Sequence, residues 1–220
     1  MSFPEPILRR TILAFRQGWP DLVDPLLDAL SSVSRRVPLT PEGLAALNAA
    51  LTSSRTALYE TASYIAQDAS GFDAKAVDLV IGLSKHQKAF ARRNAILCLG
   101  EETPVATTLE VIAQGLKDKS SLVRIKAADW ALRMRLRQTL PMIAAAIYNE
   151  KHAEARSVME YSLSMLRDGY FARPRDGEHV SVTVLGNGGG STTARVRQML
   201  IDEIGMERVA SDLRGAPYAA

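Results

Sequence analysis

Three stretches decide the fold: Ala76–Leu99 (AVDLVIGLSKHQKAFARRNAILCL), Thr108–Arg133 (TLEVIAQGLKDKSSLVRIKAADWALR) and Thr139–Leu163 (TLPMIAAAIYNEKHAEARSVMEYSL). They superimpose when the chain is shifted by 32 residues. In that register Arg92, Arg124 and Arg156 share one column, and Leu79, Val111 and Ile143 another. Ala91, Val123 and Ala155 form a third column, and Leu99, Ala131 and Leu163 a fourth. Each unit reads as an apolar helix, a short polar turn and a second helix. A fixed period of this length marks stacked units that bury their apolar faces only against their neighbours.

The second helix of the middle unit carries the same message. At about 100° per residue, Val123, Ala127, Ala131 and Met134 cover one side, and Ile125, Leu132 and Leu136 the opposite side. A helix apolar on two sides is packed between neighbours. The narrow stripe left over is Lys126, Asp129, Trp130, Arg133 and Arg137. The 32-residue shift brings Leu97 and Cys98 beside it from the preceding unit, and Tyr161 and Ser162 from the following one.

Helical signals continue upstream. Ile7, Thr11, Ile12 and Phe15 mark a short helix. Pro20 opens a helix over 21–34 with the stripe Leu22, Leu26, Leu27, Leu30 and Val33, which Pro38 closes. Thr40 with Pro41 at the first helical position begins a third helix carrying Leu44, Leu47 and Leu51. A fourth, over about 55–67, ends at Ser70-Gly71.

The turn Lys117-Asp118-Lys119-Ser120-Ser121 and the pattern Val123-Arg124-Ile125-Lys126-Ala127-Ala128 with Leu132 resemble those of HEAT repeats, helical hairpins that stack into a superhelix. The resemblance covers about 73–168 and by helix pairing extends back to Leu22. It implies that an Asp in each turn and the Arg at the start of each second helix form a ladder between repeats, and that second helices line a concave groove. Only the middle repeat has both ladder residues, Asp118 and Arg124. The first has Arg92 without the Asp, and the third has Arg156 after Asn149. The repeat is also similar to that of the HEAT-like phycobilin lyases, with no further motif in common.

After Gly169 the pattern changes. YFARPRDGEH (170–179) reads as a linker, and Val180, Val182 and Val184 alternate with polar residues as in a strand. GNGGGSTT follows as a Gly-rich turn. Beyond it two readings stay open. Val196, Met199, Leu200 and Ile204 have helical spacing with Ser191 to Thr193 as caps, whereas Ala194 and Val196 against Arg195 and Arg197 alternate as a second strand. Met206, Val209, Ala210 and Leu213 suggest a last helix. The expected fold is therefore an all-α, HEAT-like α-α superhelix over 1–168 with a small C-terminal β-hairpin or strand-loop-helix appendage over 169–220. The valine face should cap the last repeat at the flank carrying Val158, Met165 and Leu166, since a terminal repeat needs its apolar side covered. Strand exchange in a homodimer is the alternative.

Composition bounds the function. With 47% hydrophobic and 23% charged residues the chain is neither disordered nor fibrous, and no apolar run approaches a membrane span. The start, MSFPEPILRRTILAF, lacks the charged-then-apolar order of a secretory signal, so a cytoplasmic location is expected. Cys98 has no second thiol to pair with. His86, His152 and His179 stand apart with no metal-ligand spacing, so no cofactor or metal is expected. The loop over 186–192 could offer backbone amides to a phosphate, but it lacks the P-loop lysine and reads better as a hairpin tip.

Charge is uneven: between Lys85 and Arg137 there are 11 basic and 5 acidic residues, a local excess of +6 in a chain of net +3. Such an excess steers anionic partners. The expected function is non-catalytic binding of a macromolecule, a protein foremost, in the groove around Lys126, Trp130, Arg133 and Tyr161. The alternative is a nucleic-acid-binding protein similar to the helical-repeat DNA glycosylases, using the basic 85–137 segment. That chemistry needs a carboxylate beside aromatics, for which Asp129 is the candidate.

Overall fold

The computed structural model describes residues 4–186 and 190–215, and these form twelve α-helices and one small sheet. The helices are α1 Glu5–Ala14, α2 Pro20–Ser34, α3 Pro41–Leu51, α4 Thr56–Ala69, α5 Ala74–Ser84, α6 Ala89–Leu97, α7 Val105–Leu116, α8 Ser121–Arg133, α9 Leu140–Asn149 and α10 Ala153–Asp168. The strands β1 Tyr170–Asp176, β2 His179–Leu185 and β3 Ser191–Arg197 follow, and then α11 Gln198–Ile204 and α12 Met206–Gly215. No described helix is long and apolar enough to cross a membrane.

Local chemistry accounts for the helix ends. The Thr40 hydroxyl accepts the Gly43 N–H at 3.0 Å, which caps α3 with Pro41 already in place. Asp73 caps α5 by accepting the Lys75 N–H, and its second oxygen accepts the Leu39 N–H across the fold. Helices α2 and α8 end without a glycine. Arg36 and Arg135 each adopt a left-handed conformation (φ 52°), and the next N–H returns to a carbonyl inside the helix (Val37 to Ser32, Leu136 to Ala131). The turn after α2 is thus made two residues before Pro38.

Successive helices pack in two interleaved series. α5 lies on α6 and α7, α6 on α8, α7 on α8 and α9, and α8 on α10. One apolar core runs from Leu8 through Ile12, Leu26, Leu47, Ile65, Ile96, Ile112 and Ile143 to Leu166. Two glycines contrast within it. A Cβ on Gly115 of α7 would lie 2.9 Å from the Ala127 Cβ of α8 and 3.0 Å from Ile96 Cδ1, whereas a Cβ on Gly82 of α5 would meet nothing within 4 Å. Gly82→Ala should therefore raise stability by about 0.5–1 kcal/mol through helix propensity. Gly115→Ala should lower it by about 1–3 kcal/mol through overpacking, because the alanine methyl has no torsion with which to retreat. Thermal melts of the two variants moving in the same direction would contradict this packing.

The C-terminal segment corrects three sequence expectations. The stretch 170–179 is not a linker: Tyr170 to Asp176 form β1, an edge strand in a three-stranded antiparallel sheet of order β1-β2-β3. The two open readings of the following segment both hold in part, since Ser191–Arg197 is a strand and helix begins only at Gln198. Ser191 to Thr193 consequently cap nothing. Of the Gly-rich turn, residues 187–189 lie outside the described residues; Gly186 and Gly190 bracket it with an N–H to carbonyl bond of 2.8 Å, so it joins two paired strands.

The third correction concerns the valines. Val180, Val182 and Val184 do not cover the last helix pair; with Val196 they form a core closed by Val209 and Ala210 of α12, separate from the helical core. The sheet joins the helical body through its edge instead. Gly169 ends α10 at φ 77°, β1 packs along α10, and the Ser164 hydroxyl donates to the Tyr170 carbonyl at 2.6 Å.

Candidate binding surface

The turns between paired helices hold the frame of the surface. Arg92, at the start of α6, grips Asp118 with two bonds (Nε–Oδ2 2.5 Å, Nη2–Oδ1 2.8 Å) while its third nitrogen donates to the carbonyls of His86 and Gln87. Arg124, at the start of α8, repeats this on Glu150 (2.5 and 2.7 Å) and on the Asp118 carbonyl. Arg156 bonds the Glu150 carbonyl. Each carboxylate also accepts the N–H two residues on, Ser120 for Asp118 and His152 for Glu150. Arg92 is therefore not without an acid, and the acid for Arg124 is Glu150 rather than a residue at Asn149. The signal was present in the sequence, because 150 lies one period after 118, but a glutamate stands where an aspartate was sought.

These bonds shift the acids. The Arg124 guanidinium lowers Glu150 from the ordinary 4.5 to about 2 against the opposing effect of burial. Burial pushes Asp118 upward, but the bonds from Arg92 and the Ser120 N–H outweigh it and leave the group below its usual value. A carboxyl depressed in the folded state stabilises the fold above its unfolded pKa, and that contribution fades as protons bind. For Glu150 the window lies between about pH 4.5 and 2. Glu150→Gln should thus cost most stability at neutral pH, with the gap to the unsubstituted protein closing through this window in urea titrations. A gap constant down to pH 2 would show that the carboxylate charge is not what Arg124 uses.

Of the four residues expected at the centre, Lys126, Trp130 and Arg133 stand together on α8. Trp130 is half-buried, its Nε1–H donates to the Leu99 carbonyl at 2.9 Å, and Lys126 and Arg133 approach its ring at 5.8 and 5.5 Å. Asp129 bridges the two cations at 3.1 and 3.2 Å. Those contacts engage Asp129 as a charge partner rather than leaving it free as a base. The bond to Leu99 fixes the ring edge, and the cations complement its negative face.

Tyr161, on α10, is half-buried. Its helix packs on α8, and burial, with the charge of Asp129, raises its hydroxyl pKa. Its ring meets Phe171 of β1 edge to face at 5.1 Å. The surface thereby continues onto the sheet face opposite the valines, where register places Phe171 beside Thr183 and Thr193, and Arg173 beside Ser181 and Arg195. Sequence reading missed this extension because Phe171 and Arg173 were assigned to a linker. Alternation across the linker (Tyr170, Ala172 and Pro174 against Phe171, Arg173 and Arg175) was the available cue.

The histidines are accounted for locally. The His86 ring accepts the Lys88 N–H, His152 caps α10 by accepting the Ala155 N–H, and His179 contacts Asp176. No His, Cys, Asp or Glu cluster among the described residues has metal-binding geometry. Cys98 is fully buried and burial pushes its thiol pKa well up, which makes it inert packing. No protein-family model, curated protein or solved structure matches this chain, so its reading rests on this geometry alone.

Proposed function

We propose that the chain is a non-catalytic binding module, a short HEAT-like solenoid whose second-helix surface docks a protein partner around Trp130. The observation that carries this is the half-buried Trp130 ring, anchored on Leu99 and flanked by Lys126 and Arg133. Tryptophan and arginine supply most interface energy once a partner buries them, and a pre-fixed ring loses little entropy on binding. The solenoid reading is supported by the ladder, which recurs at the 32-residue period from Arg92 and Asp118 to Arg124 and Glu150. Cytoplasmic location remains part of the proposal.

Affinity capture with the full chain tests it. Trp130→Ala and Arg133→Glu should each weaken a captured partner at least about thirtyfold, the size of a hot-spot loss. Tyr148→Ser, at an exposed position on α9, should not. Partners that bind both altered surfaces as well as the original would end the proposal.

A second reading, nucleic-acid binding, is favoured by the arginines that extend the surface. Arg133 and Arg137 follow Lys126 on and after α8, and Arg173, Arg195 and Arg197 lie on the sheet. Phosphate contacts release counterions, so affinity for random duplex or single-stranded DNA should be measurable at low salt and fall steeply as salt rises. Absence of binding at low salt removes this reading.

A further inference from the structure

The open face of the C-terminal sheet faces Tyr161 across a concavity of about 490 Å³, within the usual range of about 300–1,000 Å³ for small-ligand sites. Its wall is the Tyr161–Phe171 pair, its floor the hydroxyls of Ser181, Thr183 and Thr193, and its rim Arg173, Pro174 and Arg175. Among the described residues, no acidic one lines it. Asp176, at the end of β1, is already engaged by Arg195 at 2.9 Å and by His179 at 3.0 Å. Among the described residues, no hydrogen bond or ion pair engages the side chains of Arg173, Arg175 and Ser181, or the Tyr161 hydroxyl, while Thr183 and Thr193 bond each other at 2.9 Å.

We infer that this concavity binds one nucleotide unit, its base against Tyr161 and Phe171 and its phosphate between Arg173 and Arg175. Each part answers a different portion of that ligand. Aromatic side chains stack on any base. Guanidiniums meet phosphate oxygens through paired N–H donors. Small hydroxyls both donate and accept, and so can meet base edges or a sugar. An acidic peptide would use the two arginines but would leave the aromatic wall without a planar partner. The surplus positive charge with no acid on the rim selects an anion, and the wall selects one that carries a ring. The site shares Tyr161 with the Trp130 surface but does not depend on Trp130, so it stands whether or not a protein docks there.

The source, a free nucleotide or a residue of a single strand, is separated by two probes. Fluorescence polarisation of a labelled twelve-residue oligothymidylate reports the strand, and competition by uridine or adenosine monophosphate reports the free ligand. Phe171→Leu, which keeps apolar volume against Tyr161, should weaken oligonucleotide binding by about tenfold or more through lost stacking. The exposed pair Arg173→Gln and Arg175→Gln should reduce the slope of log affinity against log salt by about 1.4, two contacts at about 0.7 each for a single strand. Tyr148→Ser, at an exposed position on α9 outside the lining of the concavity, should leave both readouts unchanged. Competition by monophosphates at concentrations similar to those of the strand would assign the free nucleotide as ligand; a large preference for the strand would assign the polymer. No binding of either probe, binding insensitive to both Phe171→Leu and the Arg173→Gln, Arg175→Gln pair, or equal retention of polyglutamate would overturn the inference.

Discussion

Arg92→Ala should lower the stability of the helical body by about 3–5 kcal/mol, the cost of leaving a buried charge without its partner. The side chains of Arg92 and Asp118 are only 8% and 7% exposed, so water cannot replace the lost guanidinium. The substitution also frees the His86 and Gln87 carbonyls, which bond the same nitrogen. At about 2–4 °C per kcal/mol for a chain of this size, the melting midpoint should fall by about 6–20 °C. Replacing both partners by apolar residues of similar shape, Arg92→Met with Asp118→Leu, should recover most of the loss, because neither charge is then stranded. A single substitution costing under about 1 kcal/mol, or a double one costing the sum of the two singles, would show that the ladder is a surface pair of the weak kind.

The second large effect is selective. Val182 is fully buried at the centre of β2, in a core that among the described residues consists of it with Val180, Val184, Val196, Val209 and Ala210 and a half-buried margin. A unit this small draws no more than about 3–5 kcal/mol from its core, and an unpaired carboxylate in that core costs as much or more. Val182→Asp should therefore unfold the segment after Gly169 while the helices keep their own core. Limited proteolysis should cut only beyond Gly169, and far-ultraviolet circular dichroism should retain a strong helical signal. The Tyr161–Phe171 contact and the Ser164 bond to Tyr170 are the ties that this variant breaks. Loss of the whole helical transition at the same temperature would mean instead that sheet and helices melt as one unit.

These two experiments probe different kinds of information in the chain. The helices, their order and the buried side of α8 at Val123, Ala127 and Ala131 were legible because a helix needs only short-range periodicity and caps, such as Thr40 with Pro41; the opposite side, Ile125, Leu132 and Leu136, is only half-buried. The repeat placed Arg92, Arg124 and Arg156 in one column for the same reason. Their acids left a weaker trace, Asp118 and Glu150 one period apart but of different residue type, and that Arg92 reaches Asp118 and Arg124 reaches Glu150 across 26 positions is decided only by tertiary packing.

The candidate surface divides in the same way. Lys126, Trp130 and Arg133 share a stripe that helical geometry alone dictates. That Tyr161 joins Phe171, and that a sheet face extends the surface, depends on strand pairing, which is non-local and leaves only a faint period-two trace in one sequence. The valine alternation determined that Val180, Val182 and Val184 share a buried face. Tertiary structure alone decided that α12 covers them, because burial requires an apolar cover without specifying which segment supplies it.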